Sequence, residues 1–231
     1  MPRAQVFPGG RIDAADGDAA WDDLTDLTEA EAAAILQTAE AGGASARAIL
    51  VGATREVFEE TGVLLGVDGA ALPDPGWLQA SRTLVHNSEQ TFAAVLGAAG
   101  LRLHLGELVP FARWVTPEAL PKRYDTLFLA AAMPPGQEAV PAPGEIAALE
   151  WVTPANALAR ADSKDAYTLP PTRAALTAIG AFTDVASALD GLGAAADLAP
   201  ILPRVVGAAT GVGQQGIRVL MPGEPGYDEQ A

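Results

Sequence analysis

Three glutamates stand close together near the end of one predicted helix. Glu56, Glu59 and Glu60 are spaced at i, i+3 and i+4, so their side chains share one stripe of a helix. Two such charges 4 Å apart repel by roughly 4 kcal/mol at an effective dielectric of about 20. A hard divalent cation removes this repulsion, because Mg²⁺ takes carboxylate oxygens and keeps waters for a phosphate substrate. The spacing therefore indicates either a metal site or a solvated acidic turn.

The helix that carries these acids is predicted from its apolar stripe and its two ends. Ser45 can cap its beginning, and Gly62 stands where a helix favours a left-handed C-terminal residue. We expect Glu56 and Glu60 to border the stripe at the edge of a crevice, and Glu59 to lie further out. The apolar stripe that would dock on a core consists of Ala46, Ile49, Leu50, Ala53 and Val57.

The nine residues 55–63 resemble the core of the Nudix box. They read R-E-V-F-E-E-T-G-V and fill every fixed position of that motif. The box also begins with a glycine, five residues and an acid, which Gly10 and Asp16 supply. Two features depart from the usual box. The acid is Asp rather than Glu, and 38 residues, 17 to 54, separate it from Arg55, far more than usual.

A long insertion after an F-P-G-G start resembles one branch of this superfamily, the peroxisomal coenzyme A diphosphatase-like Nudix proteins. The resemblance runs from about Val6 to Leu176. It implies an α/β fold, the Nudix α/β/α sandwich with a mixed β-sheet and a helical insertion inside the box. Further segments similar to that branch are 113–117, 123–126, 151–154 and 169–172.

The composition limits the class of protein and its partners. The chain has 231 residues, 49% hydrophobic and 19% charged, as in a globular protein that buries one full core. Its net charge of −15, with only 14 Lys and Arg, argues against nucleic acid or an anionic membrane as a partner. The absence of cysteine excludes disulfides and thiolate sites. No membrane-spanning run or secretory signal is predicted, so we expect a cytoplasmic protein.

The residues between the two parts of the box form an alanine-rich, acidic insertion, 17–44. Thr28 and Glu31 make a capping box that opens a helix, predicted to run to Ala41 and to end at Gly42-Gly43. The insertion has few large apolar residues. We therefore expect it to lie on the surface as a packed-on hairpin or lid.

The remaining elements are predicted from local patterns, and two regions follow from them. Residues 1–190 are predicted to be the hydrolase domain, and 191–231 a C-terminal extension with a possible hairpin. Helices are predicted at 77–85, at 89–98 with Ser88 as cap, from Thr153-Pro154 onward and at 171–189. Strands are predicted at 4–7, at 108–115 paired with 124–133, at 149–152, and at 204–206 paired with 217–221.

Little sequence precedes the F-P-G-G stretch. In the resembling branch a strand and a basic loop come before it, whereas here only residues 1–6 do. A sheet without its leading strand leaves an edge to be paired. We therefore expect either a second copy of the chain, in a homodimer, or the 204–221 hairpin to occupy that edge.

The resemblance implies metal-assisted hydrolysis of a diphosphate, with Mg²⁺ or Mn²⁺. Phosphoryl transfer needs positioning and charge neutralisation more than covalent help. By resemblance, Glu56, Glu59 and Glu60 hold metal together with the Gly10 carbonyl, and Arg55 orients a metal-binding glutamate. An i,i+4 pair between Arg55 and Glu59 is also expected from helix geometry alone. For the shorter side chains of Asp13 and Asp16, a water-mediated metal contact and a purely structural role stay open.

The general base and the substrate contacts stay open. Glu56 is one candidate base, and Glu138 or Glu145 on a later loop is another, unless these two are solvated loop charges. Lys122 and Arg123 either meet the remote phosphate of a substrate or only balance surface charge. The diphosphate itself could meet the Gly9-Gly10 loop and Arg11. Stacking of an adenine is a further option for Tyr124 and Trp114, although aromatic residues on strands are more often core.

Three functions remain possible. The first is cleavage of coenzyme A or acyl-coenzyme A to phosphopantetheine and adenosine 3′,5′-bisphosphate. The second is a pyrophosphatase for another nucleoside diphosphate derivative, such as ADP-ribose or a dinucleotide. The third is a nucleotide- or partner-binding module without turnover, against which the intact R-E-x-x-E-E argues. In the first two, the partner is a small-molecule nucleotide.

Overall fold

The helix that carries the three glutamates, α3, spans Ala46–Thr61 and begins and ends where predicted. The Ser45 hydroxyl accepts a hydrogen bond from the Ala48 amide, and Gly62 ends the helix with φ 73°. The buried face is broader than the predicted stripe. It includes Phe58, which is fully buried, whereas Ala53 and Val57 are only half-buried. The reason is that other segments pack against α3 from more than one side.

This computed structural model describes residues 4–67, 74–142, 147–163, 165–206 and 218–227. Short 3₁₀ turns span Ala14–Gly17 and Leu105–Glu107. The helices besides α3 are α1 Trp21–Leu24, α2 Glu29–Ile35, α4 Pro75–His86, α5 Phe92–Ala98, α6 Pro154–Asp162, α7 Pro170–Ile179 and α8 Val185–Ala194. The strands are β1 Ala4–Gln5, β2 Glu40–Ala41, β3 Ala44–Ser45, β4 Val109–Val115, β5 Asp125–Ala130, β6 Tyr167–Thr168, β7 Arg204–Val206 and β8 Arg218–Leu220.

The described strands pair two by two within a mixed α/β architecture. β1 and β6 are parallel, whereas β2 with β3, β4 with β5 and β7 with β8 are antiparallel. The predicted pairing of 108–115 with 124–133 is confirmed, with Val115 opposite Asp125. The other edge of β4 is bonded by Ile201, whose amide donates to the Arg113 carbonyl at 2.8 Å. At this edge the segment before β7, rather than the hairpin itself, supplies the partner.

The insertion is part of the core, which corrects the expectation that it lies on the surface. Trp21 is 1% exposed, and its ring centroid lies 5.7 Å from that of Phe92. Phe92 in turn stacks on Phe58 of α3 at 5.7 Å. Leu36, at the end of α2, is fully buried. The few large apolar residues of the insertion thus fill the space beside α3, where burial of a large side chain contributes most.

The helix of the insertion is shorter than predicted. Thr28 and Glu31 form the expected capping box, but α2 ends at Ile35 rather than at Ala41. Gln37 then takes φ 52°, which a continuing helix does not allow. Beyond it, Gly42 and Gly43 make the turn between β2 and β3 instead of ending a helix.

Three further predictions are wrong or incomplete. The helix predicted at 171–189 is two helices, because Asp184 breaks the run and caps α8 by accepting from the Ser187 amide at 2.8 Å. The cap of α5 is Thr91 rather than Ser88, and α5 begins at Phe92. Residues 149–152 form no strand. Because α8 runs across residue 190, the predicted division there stays a prediction.

No helix in the described ranges is long and apolar enough to cross a membrane.

Gly52 provides a test of the packing between α3 and the segment that carries Ile12 and Asp16. A Cβ added at Gly52 would lie 2.6 Å from Ile12 Cδ1 and 2.8 Å from Asp16 Oδ2, so these side chains must shift, and Asp16 is held by its pair with Arg55. We expect Gly52→Ala to lower the free energy of unfolding by about 1–2 kcal/mol, although alanine is the better helix former. The matched control is Gly97→Ala in α5, where the nearest atom is Leu24 Cδ1 at 3.9 Å.

Gly97→Ala should raise the free energy of unfolding by about 0.5–1 kcal/mol, since it gains helix propensity without a clash. Urea denaturation of both variants and the wild type measures the two changes. Equal stabilisation by the two substitutions would contradict the close approach at Gly52.

Candidate active site

The Gly9-Gly10 loop lies directly against two of the three glutamates. The Gly9 amide donates to Glu60 Oε2 at 3.0 Å. At Gly10 there is no room for a side chain, because an added Cβ would overlap the Glu56 carboxylate. Gly10 therefore allows the close approach of the backbone, and the φ of 151° at Gly9 also favours glycine. The structure brings together the predicted loop and the acids, which lie 46 or more residues apart in sequence.

Arg55 is the buried centre of this site. Its Nε and Nη2 atoms donate to the two carboxylate oxygens of Asp16 at 2.8 and 2.9 Å, a bidentate pair. The Nη1 atom donates to Glu56 at 3.0 Å and to Glu59 at 2.8 Å, which confirms the expected i,i+4 pair. The Nη2 atom also reaches the Arg11 carbonyl at 2.7 Å. One side chain thus joins the loop to the acidic face of α3.

Burial and charge act differently on the two neighbours Arg55 and Glu56. Burial alone would lower the pKa of the Arg55 guanidinium, but its hydrogen bonds to Asp16 and Glu59 raise that pKa overall. Burial raises the pKa of the Glu56 carboxyl, and repulsion from Glu59 and Glu60 adds to the rise, while Arg55 opposes it. Arg55 therefore stays charged, whereas the Glu56 carboxyl ionises less readily than an exposed glutamate.

A second arginine approaches the same glutamates from α4. Arg82, 3% exposed, donates from Nε to the Glu59 carbonyl at 2.8 Å and from Nη2 to the Glu60 carbonyl at 2.7 Å. His86, one turn further along α4, has its Nδ1 atom 4.0 Å from Glu59 Oε2. Neither contact was predicted. The only sequence signal was Arg82 and His86 at i,i+4 spacing on a predicted helix.

A basic group adjoins the glycine loop. The nearby cations of Lys122 and, to a smaller degree, Arg11 lower the pKa of the Tyr124 hydroxyl. The Lys122 ammonium also lies 5.3 Å from the centre of the Tyr124 ring. Arg123 has a different contact, since its Nε atom donates to the Thr116 carbonyl at 3.1 Å. The structure thus brings Arg11 and Lys122 together at one exposed tyrosine.

Three other candidate residues do not join this site in the part of the chain that the structure describes. Glu145 lies outside the described residues, so its place as a base stays a prediction. Glu138 is exposed. Trp114 is only 6% exposed on β4, which leaves no ring face for an adenine.

The acids are paired with nitrogen donors rather than gathered around one point. Glu56 and Glu59 bind Arg55, and Glu60 accepts from the Gly9 amide. Among the described residues, no three His, Asp or Glu side chains form a group that could hold a metal ion as they stand. What the site offers is a set of hard oxygen donors beside a glycine backbone, the donor type that Mg²⁺ and Mn²⁺ prefer.

Residues 43–178, more than half of the chain, match the family model of the NUDT19 Nudix domain. The chain belongs to this Nudix family. The chain is 28% identical over 210 residues to acyl-coenzyme A diphosphatase NUDT19 of Gallus gallus. That match covers 74% of this chain and 55% of the relative, so the chain spans about half of the relative's length.

The chain is also similar to a solved structure, that of a Nudix hydrolase from Alicyclobacillus acidocaldarius, with a TM-score of 0.60 and 28% identity. The match covers 82% of this chain and 81% of that one. The predicted fold class and superfamily are confirmed.

The Arg55–Asp16 pair can be tested against a neighbouring carboxylate. Asp16→Asn leaves a buried arginine without its bidentate partner, so we expect the free energy of unfolding to fall by about 3 kcal/mol. Asp13→Asn is the control, because Asp13 is 67% exposed and lies 3.7 Å from Arg55 Nη2. It should cost no more than about 1 kcal/mol. Urea denaturation measures both, and equal losses would contradict a special role for Asp16.

Proposed function

We propose that this Nudix hydrolase is a metal-dependent diphosphatase of coenzyme A or acyl-coenzyme A. The observation that carries the proposal is the contact of the Gly9-Gly10 backbone with the carboxylates of Glu56 and Glu60. This contact creates a site of oxygen donors at the edge of a buried helix. The substrate class is supported by the similarity to an acyl-coenzyme A diphosphatase. We assign the activity to the domain predicted at 1–190, which contains the matched residues.

The residues of the site fit a bound Mg²⁺ or Mn²⁺ by their chemistry. Glu56, Glu59 and Glu60 together with the Gly10 carbonyl would hold it. When bound, the metal would supply charge neutralisation for the diphosphate and acidify a water. The chain's own part is to orient the carboxylates. Arg55 does this for Glu56 and Glu59 through its hydrogen bonds at 3.0 and 2.8 Å.

The general base is proposed from two candidates. Glu56 lies in the site beside the glycine loop, whereas Glu138 is exposed and is not proposed. Glu145 stays a second candidate, because its segment follows Ala142, whose amide bonds the Glu60 carbonyl at 2.9 Å. A group within reach of the attacking water contributes about 100-fold or more to rate. Substitution of each glutamate separately decides between them.

The cations Arg11 and Lys122 are proposed to select the substrate. Arg11 directly follows Gly10, so its side chain starts beside the site of bond cleavage. Lys122 and Arg11 both lie near Tyr124, and together they form a positive group in a chain of net charge −15. Such a group suits a phosphate remote from the scissile bond, such as the 3′-phosphate of coenzyme A. Arg123 is adjacent to Lys122, but its side chain donates to the Thr116 carbonyl, so we propose it only as a secondary phosphate contact.

The metal-holding roles predict a strong and specific loss of turnover. Glu56→Gln and Glu60→Gln should each lower kcat by about 100-fold or more, since each removes a charge that the metal needs. Folding stability should change little, because neither side chain fills the core. The control is Glu150→Gln, which breaks only the exposed pair with Arg160. Steady-state kinetics with coenzyme A and Mg²⁺ or Mn²⁺ measures all three.

Near wild-type turnover of both site variants would overturn the metal assignment. Glu145→Gln belongs in the same assay. A loss as large as that of Glu56→Gln, without weaker metal binding, would identify Glu145 as the base.

The cation group predicts discrimination by the 3′-phosphate. Lys122→Ala should raise KM for coenzyme A by about tenfold, the effect of losing one charge-assisted hydrogen bond, and leave kcat nearly unchanged. The same variant should use 3′-dephospho-coenzyme A as the wild type does. Lys122→Arg keeps the charge and should restore most of the affinity. Initial rates over a substrate series measure KM and kcat for each pair.

A panel that includes ADP-ribose and dinucleotides completes the test. If the wild type prefers one of these over coenzyme A, the substrate proposal is wrong. The diphosphatase chemistry would stand in that case.

A further inference from the structure

We propose that Arg82 is a positioning residue of this hydrolase, which holds the glutamate-bearing end of α3 in its active geometry. The proposal rests on the metal site proposed above and adds a residue that lies outside the Nudix box. Its guanidinium bonds the backbone of Glu59 and Glu60, the residues whose carboxylates face the site. Arg82 thus acts on the carboxylates through the helix that carries them.

The last carbonyls of a helix need partners from outside the helix, and Arg82 supplies two of them. Without such partners, buried carbonyl groups cost about 1–3 kcal/mol each. The Nε atom of Arg82 bonds the Glu59 carbonyl, and the Nη2 atom bonds the Glu60 carbonyl. Further bonds at this end include Gly62 N to Phe58 O at 2.8 Å and Val140 N to Thr61 O at 2.7 Å. The Glu60 carbonyl also accepts from the Ala142 amide at 2.9 Å, so the Glu59 carbonyl depends most on Arg82.

The charge of Arg82 meets an electrostatic need of this helix end. The C-terminus of a helix carries partial negative charge and favours cations. Here the sequence places three glutamates in the last two turns of α3 and no basic residue in its last turn. Repulsion would push the carboxylates apart and fray the turn. Arg82, supplied by α4 and 3% exposed, brings the missing positive charge to the carbonyls.

Gly62 leaves room for the guanidinium. A Cβ at Gly62 would lie 3.3 Å from Arg82 Nη1, tighter than an ordinary contact. The left-handed conformation of Gly62, φ 73°, ends the helix so that its carbonyls face α4. The glycine of the box thus has a second reason to be glycine, besides its backbone conformation.

The Arg82 contacts predict which kinetic quantity changes. A loosened helix end shifts the Glu59 and Glu60 carboxylates, which weakens metal binding and lowers kcat. The proposed contacts with the substrate, at Arg11 and Lys122, lie on other segments, so KM should change little. Substitution of a residue that orients metal ligands typically costs 10–100-fold in metal affinity or activity.

The test compares Arg82→Lys and Arg82→Met with the wild type. Mn²⁺ binding to the metal-free protein is measured by the electron paramagnetic resonance of free Mn²⁺, and kcat and KM by coenzyme A hydrolysis. We expect both variants to bind Mn²⁺ about tenfold or more weakly, with kcat lowered by a similar factor and KM within roughly twofold. The lysine variant keeps the charge but replaces the two donor nitrogens by a single ammonium. It therefore gives the answer if the methionine variant does not fold.

The matched control is Arg102→Lys and Arg102→Met. Arg102 also donates to a backbone carbonyl, that of Thr25 at 2.7 Å, but it serves no helix that carries a metal ligand. These variants should leave Mn²⁺ affinity and kcat within about twofold of wild type.

The possible results separate the two proposals. If the wild type binds Mn²⁺ and turns over, but Arg82→Lys matches it in both, then Arg82 has no positioning role and the proposed function stands. A lower melting temperature of the Arg82 variants with unchanged Mn²⁺ affinity also overturns the role, because a merely structural residue behaves so. If the wild type binds no Mn²⁺, the metal site and the inference from it both fall.

Discussion

The site depends on one buried ion pair, that of Arg55 with Asp16. The two residues are 7% and 1% exposed, and they are joined by two hydrogen bonds of 2.8 and 2.9 Å. A buried charge without a partner is costly, so the loop that carries Asp16 cannot leave α3 without exposing or stranding Arg55. The same loop carries the Gly9-Gly10 backbone. The pair therefore holds the glycines at the distance where they meet the glutamates.

The same arginine also manages the repulsion among the acids. Glu56 and Glu59 share its Nη1 atom, and Arg82 neutralises the end of the helix from the other side. Two of the 14 Lys and Arg residues are thus buried in one acidic site. A chain with net charge −15 can keep three glutamates on adjacent turns because these cations are buried with them, where screening by water is weak. The arrangement holds the carboxylates of Glu56 and Glu60 close to the loop.

The long insertion inside the box supports this geometry from the core. Trp21 packs on Phe92, which stacks on Phe58 of α3, so the helix is held on a side that the sequence stripe did not include. Glu29 in α2 further accepts from the Ser45 hydroxyl at 3.0 Å, at the beginning of α3. The insertion is therefore a structural part of the domain. A motif interrupted in sequence remains intact in space because the segment before the insertion packs on α3, the helix that follows it.

Local sequence determined the residues that can do chemistry and the ends of the helix that presents them. The spacing of Glu56, Glu59 and Glu60, the Ser45 cap and the Gly62 terminus are properties of neighbouring residues, which act over one or two turns. The antiparallel pair β4–β5 was predictable for the same reason, from apolar strands close in the chain. The family resemblance followed from the same short motif.

Only the tertiary structure decided which of these residues meet. Arg55 and Asp16 lie 39 positions apart, and Arg82 lies 22 positions from the Glu60 carbonyl that it bonds. No local period encodes such contacts, because they arise when apolar faces pack and leave buried polar groups that need partners. The same competition ended α2 at Ile35 and drew Trp21 into the core, against the local helix signal and the scarcity of apolar residues. Packing and the satisfaction of buried charges, which are long-range in sequence, therefore completed the site.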